Sequence, residues 1–328
     1  MHPPRGVGGR RIRADSCLIL LTLAVSGSMQ AVLDELGALI AAHSRPDMST
    51  TIDGLLLSAV TDTAPDYSLT EPLLVVMARG GKRLLLGEQL FEYRAGEILV
   101  VTTEVPVSGH FIDCGPQAPA LGVGLVLRPP AISELLLRGP GPAPRPAARP
   151  AMSTGPADRD LLDAVLRMVR LLDSPGDAEV LAPLIEQEIL WRLLRGPHAE
   201  SLAQIGTAGS GLTHINRTIR WIRENYAEPL RIADLAAMAA MSASAYHRHF
   251  RSVTGMSPLQ FQKRIRLQEA RALLVGAAGG DVARVGHLVG YDSPTQFSRE
   301  YRRLFGAPPG RDAARLGARP DTAAAHLP

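Results

Sequence analysis

The chain has 328 residues, 46% of them hydrophobic, which is enough to fill the cores of two domains and too much for a disordered polymer. Its formal charge of +3 hides an asymmetry: from Leu212 onward there are 17 Lys and Arg against 9 Asp and Glu, net +8, leaving residues 1–211 at −5 and only the C-terminal third with the charge expected to meet phosphate. The two cysteines, Cys17 and Cys114, make neither a disulfide framework nor a CxxC metal site, and no apolar run reaches the ~18 residues of a membrane span, so a cytoplasmic protein without membrane segments is expected.

At the N-terminus, Arg10, Arg11 and Arg13 precede the apolar stretch Cys17 to Val25 and then Ser26-Gly27-Ser28, a pattern that resembles a secretory signal peptide. The alternative is a translation start at Met29, with residues 1–28 a non-native or unstructured extension. The second is the expectation, because a C-terminal third charged to meet phosphate belongs inside the cell. Between Ile52 and Leu137, short apolar runs broken by Gly and Pro predict about seven strands: Leu55–Val60, Leu73–Ala78, Lys82–Leu86, Gln89–Tyr93, Ile98–Thr102, Val107–Asp113 and Leu121–Leu127. Gly87-Glu88 suits a two-residue hairpin and Arg94-Ala95-Gly96-Glu97 a longer one, so a sandwich or small barrel is expected. Residues 139–158 are dominated by Pro, Ala and Gly and read as a linker. The period then becomes helical: Leu161 to Leu172 carries one apolar face, Asp177 to Leu194 a second, and Leu212 to Tyr226 leads into the basic region. The leucine-rich stripes between Leu161 and Leu194 predict a homodimer. Glu186 and Glu188 on the same helix read as solvated rather than catalytic.

The basic region holds one doubled unit. In the first copy Ile232, Leu235, Ala236 and Ala239 face inward, Met241-Ser242 turns the chain, and Ser242 caps the next helix, whose inward face is Tyr246, Phe250 and Val253. That leaves Ala243, Ser244, His247, Arg248 and Arg251 facing out, until Gly255 stops the helix. Ser257-Pro258 starts a helix of about 18 residues, ~27 Å long. The second copy repeats the punctuation: Asp281 caps, Val282, Val285 and Val289 face inward, Gly290-Tyr291-Asp292 turns, and Ser293-Pro294 starts the next helix. Phe297, Tyr301 and Leu304 face inward there, while Thr295, Gln296 and Arg299 face out. A connector of ~27 Å is comparable to the ~34 Å between successive major grooves, so one chain could read two of them. Arg can bond guanine bidentately, Gln can pair with adenine, and Ala or the Thr methyl can meet a thymine methyl. Lys263, Arg264, Arg266, Arg302 and Arg303 are the candidates for phosphate.

Leu235-Ala236, Met241-Ser242, Arg248-His249-Phe250, Gly255-Met256-Ser257-Pro258, Arg266-Leu267, Glu269-Ala270, Val289-Gly290-Tyr291, Phe297-Ser298-Arg299 and Phe305-Gly306 together resemble the AraC/XylS family of transcriptional regulators. Glu71-Pro72, Gly81-Lys82-Arg83, Leu86-Gly87, Phe91-Glu92-Tyr93, Gly96 and Pro106-Val107 resemble the sensor half of one subgroup. The resemblance covers about Gln30 to Leu316. It implies an α+β chain: a cupin-like β barrel as regulatory domain (29–138), a linker (139–158), a helical dimerisation region (159–211), an all-α double helix-turn-helix domain (212–316) and a disordered tail (317–328). It also implies double-stranded DNA and RNA polymerase as partners, a small-molecule or redox signal, and activation of transcription. The recognition-helix positions it carries over are Ala243, Ser244, His247, Arg248, Pro294, Thr295, Gln296 and Arg299. Gly286 departs from the family, which usually has Ala there, and its helix-propensity cost of ~1 kcal/mol predicts a weak or mobile second unit.

Enzymatic readings fit poorly. A metal oxygenase needs clustered His and carboxylate ligands, and the β region offers only His110; a repair methyl acceptor needs a cysteine-rich zinc site. Gly80-Gly81-Lys82 lacks phosphate-loop spacing, and the surroundings of Ser257 are not a nucleophile elbow. No catalytic residue, metal or cofactor is therefore expected. His110 and Cys114 are the effector candidates, although His110 also reads as a strand residue filling or rimming the barrel and Cys114 as a small buried residue.

Overall fold

The computed structural model describes residues 29–139, 149–276 and 281–317. The extension expected at 1–28, residues 140–148 of the linker and residues 318–328 of the tail lie outside the described residues. The chain opens with helix α1 (residues 29–43) and continues with β1 (Leu55–Val60), β2 (Asp66–Leu69), β3 (Leu73–Arg79), β4 (Gly81–Leu86), β5 (Gln89–Arg94), β6 (Glu97–Val101), β7 (Pro106–Ile112) and β8 (Ala120–Val126). Then follow α2 (Pro129–Arg138), β9 (Met152–Pro156), α3 (Arg159–Arg170), α4 (Pro175–Arg195), α5 (Ala199–Gly206) and α6 (Gly211–Glu224).

The strands form two antiparallel sheets, ordered β1-β8-β3-β6-β9 and β2-β7-β4-β5. No ladder among the described residues joins them, so the expected barrel is an open, cupin-like pair of sheets. Alternation along β3 shows why. Leu73, Val75 and Met77 face the second sheet and pack with Leu84, Tyr93 and Phe111, while Leu74 and Val76 face a helical layer with Leu36, Val165 and Ile189. Both faces of β3 are buried. The β4–β5 hairpin turns at Gly87-Glu88 with Gly87 at φ +63°, which suits a II′ turn. The segment at Ala95-Gly96 is no hairpin, because it passes the chain from β5 in one sheet to β6 in the other.

Two further elements differ from the expectation. The apolar run continued to Leu137 is α2 from Pro129, since Pro at the first helical position is pre-set for a helix and Ile132 and Leu135 pack inward. Met152–Pro156, expected as linker, pairs with β6 in the register Val101↔Met152 to Glu97↔Pro156. Met152 and Ala157 are buried, which outweighs the poor composition for a strand.

The leucine stripe of α3 is used up on the five-stranded sheet: Leu161, Leu162, Val165, Leu166 and Val169 are all buried, each contributing ~1.5–3 kcal/mol. Along α4, Ile185, Ile189 and Leu193 do the same, but Val180, Leu181, Leu184 and Trp191 are exposed. Glu186 and Glu188 are tied into ion pairs, the first with Arg128 and the second with Arg167 and Arg192 at 2.6 and 2.7 Å.

Candidate nucleic-acid interface

The C-terminal region comprises α7 (Ile232–Met238), α8 (Ala243–Thr254), α9 (Pro258–Gly276), α10 (Val282–Leu288), α11 (Pro294–Phe305) and α12 (Pro309–Gly317). Pairs α7/α8 and α10/α11 are the two helix-turn-helix units. Ser242 accepts from the Ala245 amide at 3.3 Å and Ser293 from the Gln296 amide at 3.3 Å, so each reading helix begins on a serine cap. Asp281 caps α10 by accepting from the Ala283 amide at 2.9 Å. Ser257 and Gln260 bond reciprocally at the start of α9, a capping box that fixes where the connector begins. The 19 residues of α9 span ~28 Å.

Inward faces are aromatic. Tyr246, Phe250 and Val253 are buried under α8, and Phe297, Tyr301 and Phe305 under α11. The opposite faces carry the predicted readers: Ala243, Ser244, His247, Arg248 and Arg251 on one helix, Pro294, Thr295, Gln296 and Arg299 on the other, all exposed. Gln296 also donates to Glu300 at 3.2 Å, a contact it would exchange to reach a base.

The phosphate candidates separate. Arg302 and Arg303 are exposed. Lys263 donates to Glu300 at 2.7 Å. Burial pushes the Glu300 carboxyl up, but hydrogen bonds from Lys263, Gln296 and Tyr291 outweigh it and hold the group below the usual range. Arg264 is half-buried, and burial pulls its pKa down. Arg266 is held differently, because its guanidinium donates to the carbonyls of Tyr226 and Gly290 at 2.6 Å, and of Ala227 and Glu228 at 3.0 and 3.1 Å. It ties the turn of the second unit to the chain ahead of α7. Gly290, at φ +86°, leaves room for this, since a Cβ there would lie 2.3 Å from the Ala227 oxygen and 2.8 Å from the Arg266 guanidinium carbon.

The effector candidates do not form a pocket together. His110 lies opposite Arg83 on the β4–β7 ladder, on the face turned away from Phe111 and the interior of the sheet pair. Cys114 is half-buried beside an open depression formed with Asp113 and Gly115 to Ala118, and burial raises its thiol pKa, which disfavours the reactive thiolate. Lys82 and Tyr93 are ionisable side chains buried between the sheets, paired across the β4–β5 ladder, and Ser68 of β2 is a smaller buried polar group. The Lys82 ammonium lies 4.4 Å from the Phe111 ring centre, and the Tyr93 hydroxyl has no hydrogen-bond partner among the described residues. Both stand in the motif segments Gly81-Lys82-Arg83 and Phe91-Glu92-Tyr93, but alternation alone does not tell that an ionisable side chain occupies the inward position.

Two helix-turn-helix units on one connecting helix, fused to a cupin-like pair of sheets, define the architecture. A family model described as AraC-type transcriptional regulator N-terminus matches residues 51–201, and a helix-turn-helix domain model matches residues 235–315. The chain belongs to the AraC/XylS family of transcriptional regulators. It is 28% identical over 163 residues to the HTH-type transcriptional activator RhaS of Escherichia fergusonii, a match that covers 48% of this chain and 58% of that protein. The chain thus spans little more than half the length of the curated relatives it matches. Among solved structures, apo ToxT (a variant) from Vibrio cholerae superposes with a TM-score of 0.52 at 10% identity, covering 82% of this chain and 100% of that one. ToxT with bound unsaturated fatty acid gives 0.50 at 10% identity, covering 81% and 97%. At that identity the likeness is one of fold. Among the described residues no helix is long and apolar enough to cross a membrane.

Proposed function

We propose that the chain is a sequence-specific DNA-binding transcriptional regulator, an activator rather than an enzyme, working in the cytoplasm. The observation that carries this is the pair of serine-capped helices, α8 and α11, whose small, polar and cationic faces are exposed while their aromatic faces build the cores. Ala243, Ser244, His247, Arg248 and Arg251 read one major groove, and Pro294, Thr295, Gln296 and Arg299 the next. Arg302 and Arg303 hold phosphate, with Lys263 and Arg264 joining them once freed from their present surroundings. Arg266 is left out of this set. RNA polymerase and a small-molecule effector are the further partners; Lys82 and Tyr93 inside the sheets suit such a ligand better than His110 or Cys114 do. A homodimer is part of the same reading, and the exposed Leu181, Leu184 and Trp191 of α4 support it.

A duplex selected from a random pool by the wild-type chain provides the test. In a mobility-shift titration, Arg248→Ala is expected to weaken binding to that duplex by ~1–3 kcal/mol, roughly five- to 150-fold, while binding to unrelated DNA changes little. Equal affinity of variant and wild type would remove the base-contact role.

A further inference from the structure

The two reading units are attached to the β domain in different ways. The core of the first, with Leu235, Tyr246 and Phe250, runs without a break into Leu86, Val105 and Met152 of the sheets. The Gly87 turn lies directly on the end of α8: a Cβ at Gly87 would sit 2.5 Å from the Gly255 carbonyl oxygen. The Ala151 amide donates to the Val253 carbonyl at 2.8 Å. The second unit has a separate core of Leu274, Val285, Phe297, Tyr301 and Phe305, and the β domain reaches it through Tyr67 of β2.

That contact is built from several bonds. The Tyr67 ring stands edge-on to Phe305, with centroids 4.8 Å apart and planes at 72°. Its hydroxyl donates to the Leu304 carbonyl at 3.1 Å, in the last turn of α11. The Arg271 guanidinium lies 4.9 Å from the Tyr67 ring centre and 4.7 Å from that of Phe305, and donates to the fully buried Asp312 at 2.8 Å. Nearby on α9, Gln268 donates to the main-chain oxygens of Ser68 and Val107 at 3.1 and 3.4 Å. Every residue of the two reading faces stays exposed, so the β domain holds the readers from behind.

We infer that this contact is a brace: Tyr67 and Gln268 are positioning residues that set the angle of α11 relative to α8. A connector of ~28 Å is shorter than the ~34 Å between grooves, so the tilt of α11 decides whether both helices seat at once. The inference rests on the DNA reading proposed above. Among the described residues β2 is an edge strand paired with β7 alone, so a small shift of β2 moves Tyr67 against Leu304 without disturbing the central strands.

The test is hydroxyl-radical footprinting of the full-length chain on the duplex it selects from a random pool. Arg248→Ala and Gln296→Ala assign the two protected segments to the first and second unit. Tyr67→Ala is expected to reduce protection of the second segment at least three-fold and leave the first unchanged, with Tyr67→Phe, which keeps the ring, losing less. Gln268→Ala removes a polar contact without touching an apolar core. It should act in the same direction, and the double variant should lose less than the two effects combined, as for residues in one contact. Equal loss at both segments, no loss at either, or stronger protection of the second segment would overturn the brace. A wild-type chain that protects no duplex would overturn the DNA reading beneath it.

Discussion

Lys82 is fully buried between the sheets, and burial lowers its pKa to about 8 from the ordinary 10.5. Between those values the unfolded chain binds more protons than the folded one, so raising the pH from about 7.5 to about 9.5 favours folding through this group. We expect the midpoint of urea denaturation of the wild type to rise over that range relative to Lys82→Met, which lacks the titrating amine; parallel curves would refute the burial effect. Arg266 supplies a second contrast among charged residues. Arg266→Ala takes a donor from four main-chain carbonyls, of which Tyr226 and Glu228 keep Gln262 while Ala227 and Gly290 lose theirs, and is expected to cost about 3 kcal/mol of stability. Arg302→Ala should stay within about 0.5 kcal/mol of wild type but reduce the salt slope of DNA binding by ~1. Gly286 shows why a residue cannot be weighed by propensity alone. A Cβ there would lie 3.0 and 3.2 Å from ring atoms of Phe297, which is itself packed between Tyr291 and Tyr301, so the glycine gives the turn room for an aromatic core.

At the scale of elements, the exposed side of α4 is where the dimer reading is tested. Val180, Leu181, Leu184 and Trp191 remain exposed after α3 and the rest of α4 have packed on the sheet. Sedimentation of the full chain at micromolar concentration should give a dimer, and Leu184→Arg a monomer of unchanged thermal stability; a wild-type monomer would remove the homodimer from the proposed function. The leucines between Leu161 and Leu172 illustrate what was legible in the sequence and what was not. Their helical period showed an apolar face, but not that a sheet formed far earlier in the chain would cover it. Periodicity and caps located the strands with long apolar runs, both reading helices and their outward residues, because those features are local. Asp66–Leu69 has only one residue clearly facing inward, and Met152–Pro156 lies in a Pro- and Gly-rich segment; both pair because a neighbouring strand offers an edge. Arg266 looked like its solvated neighbours, since nothing local tells that the carbonyls of Tyr226 to Glu228 converge on it.

On the scale of the molecule, the described residues form three cores that divide the chain in a way the domain boundaries do not. One lies between the helices and the five-stranded sheet, the second runs from the sheet pair through α6 into the first reading unit, and the third belongs to the second unit. Sheet residues such as Leu73 and Leu74 belong to the first two cores while adjoining in sequence, so those two regions lose their packing together. Cooperativity should follow cores rather than motifs. Calorimetry is expected to show a large transition for the β domain with the first reading unit and a smaller, separate one for the second. Amide exchange should then be faster in α11 than in α8, although the two helices begin on the same kind of cap and expose the same kind of face. The doubled motif would melt as two unequal halves, one inheriting the stability of the much larger sandwich and the other relying on its own aromatic cluster and a few contacts from outside, Tyr67 and Tyr226 among them.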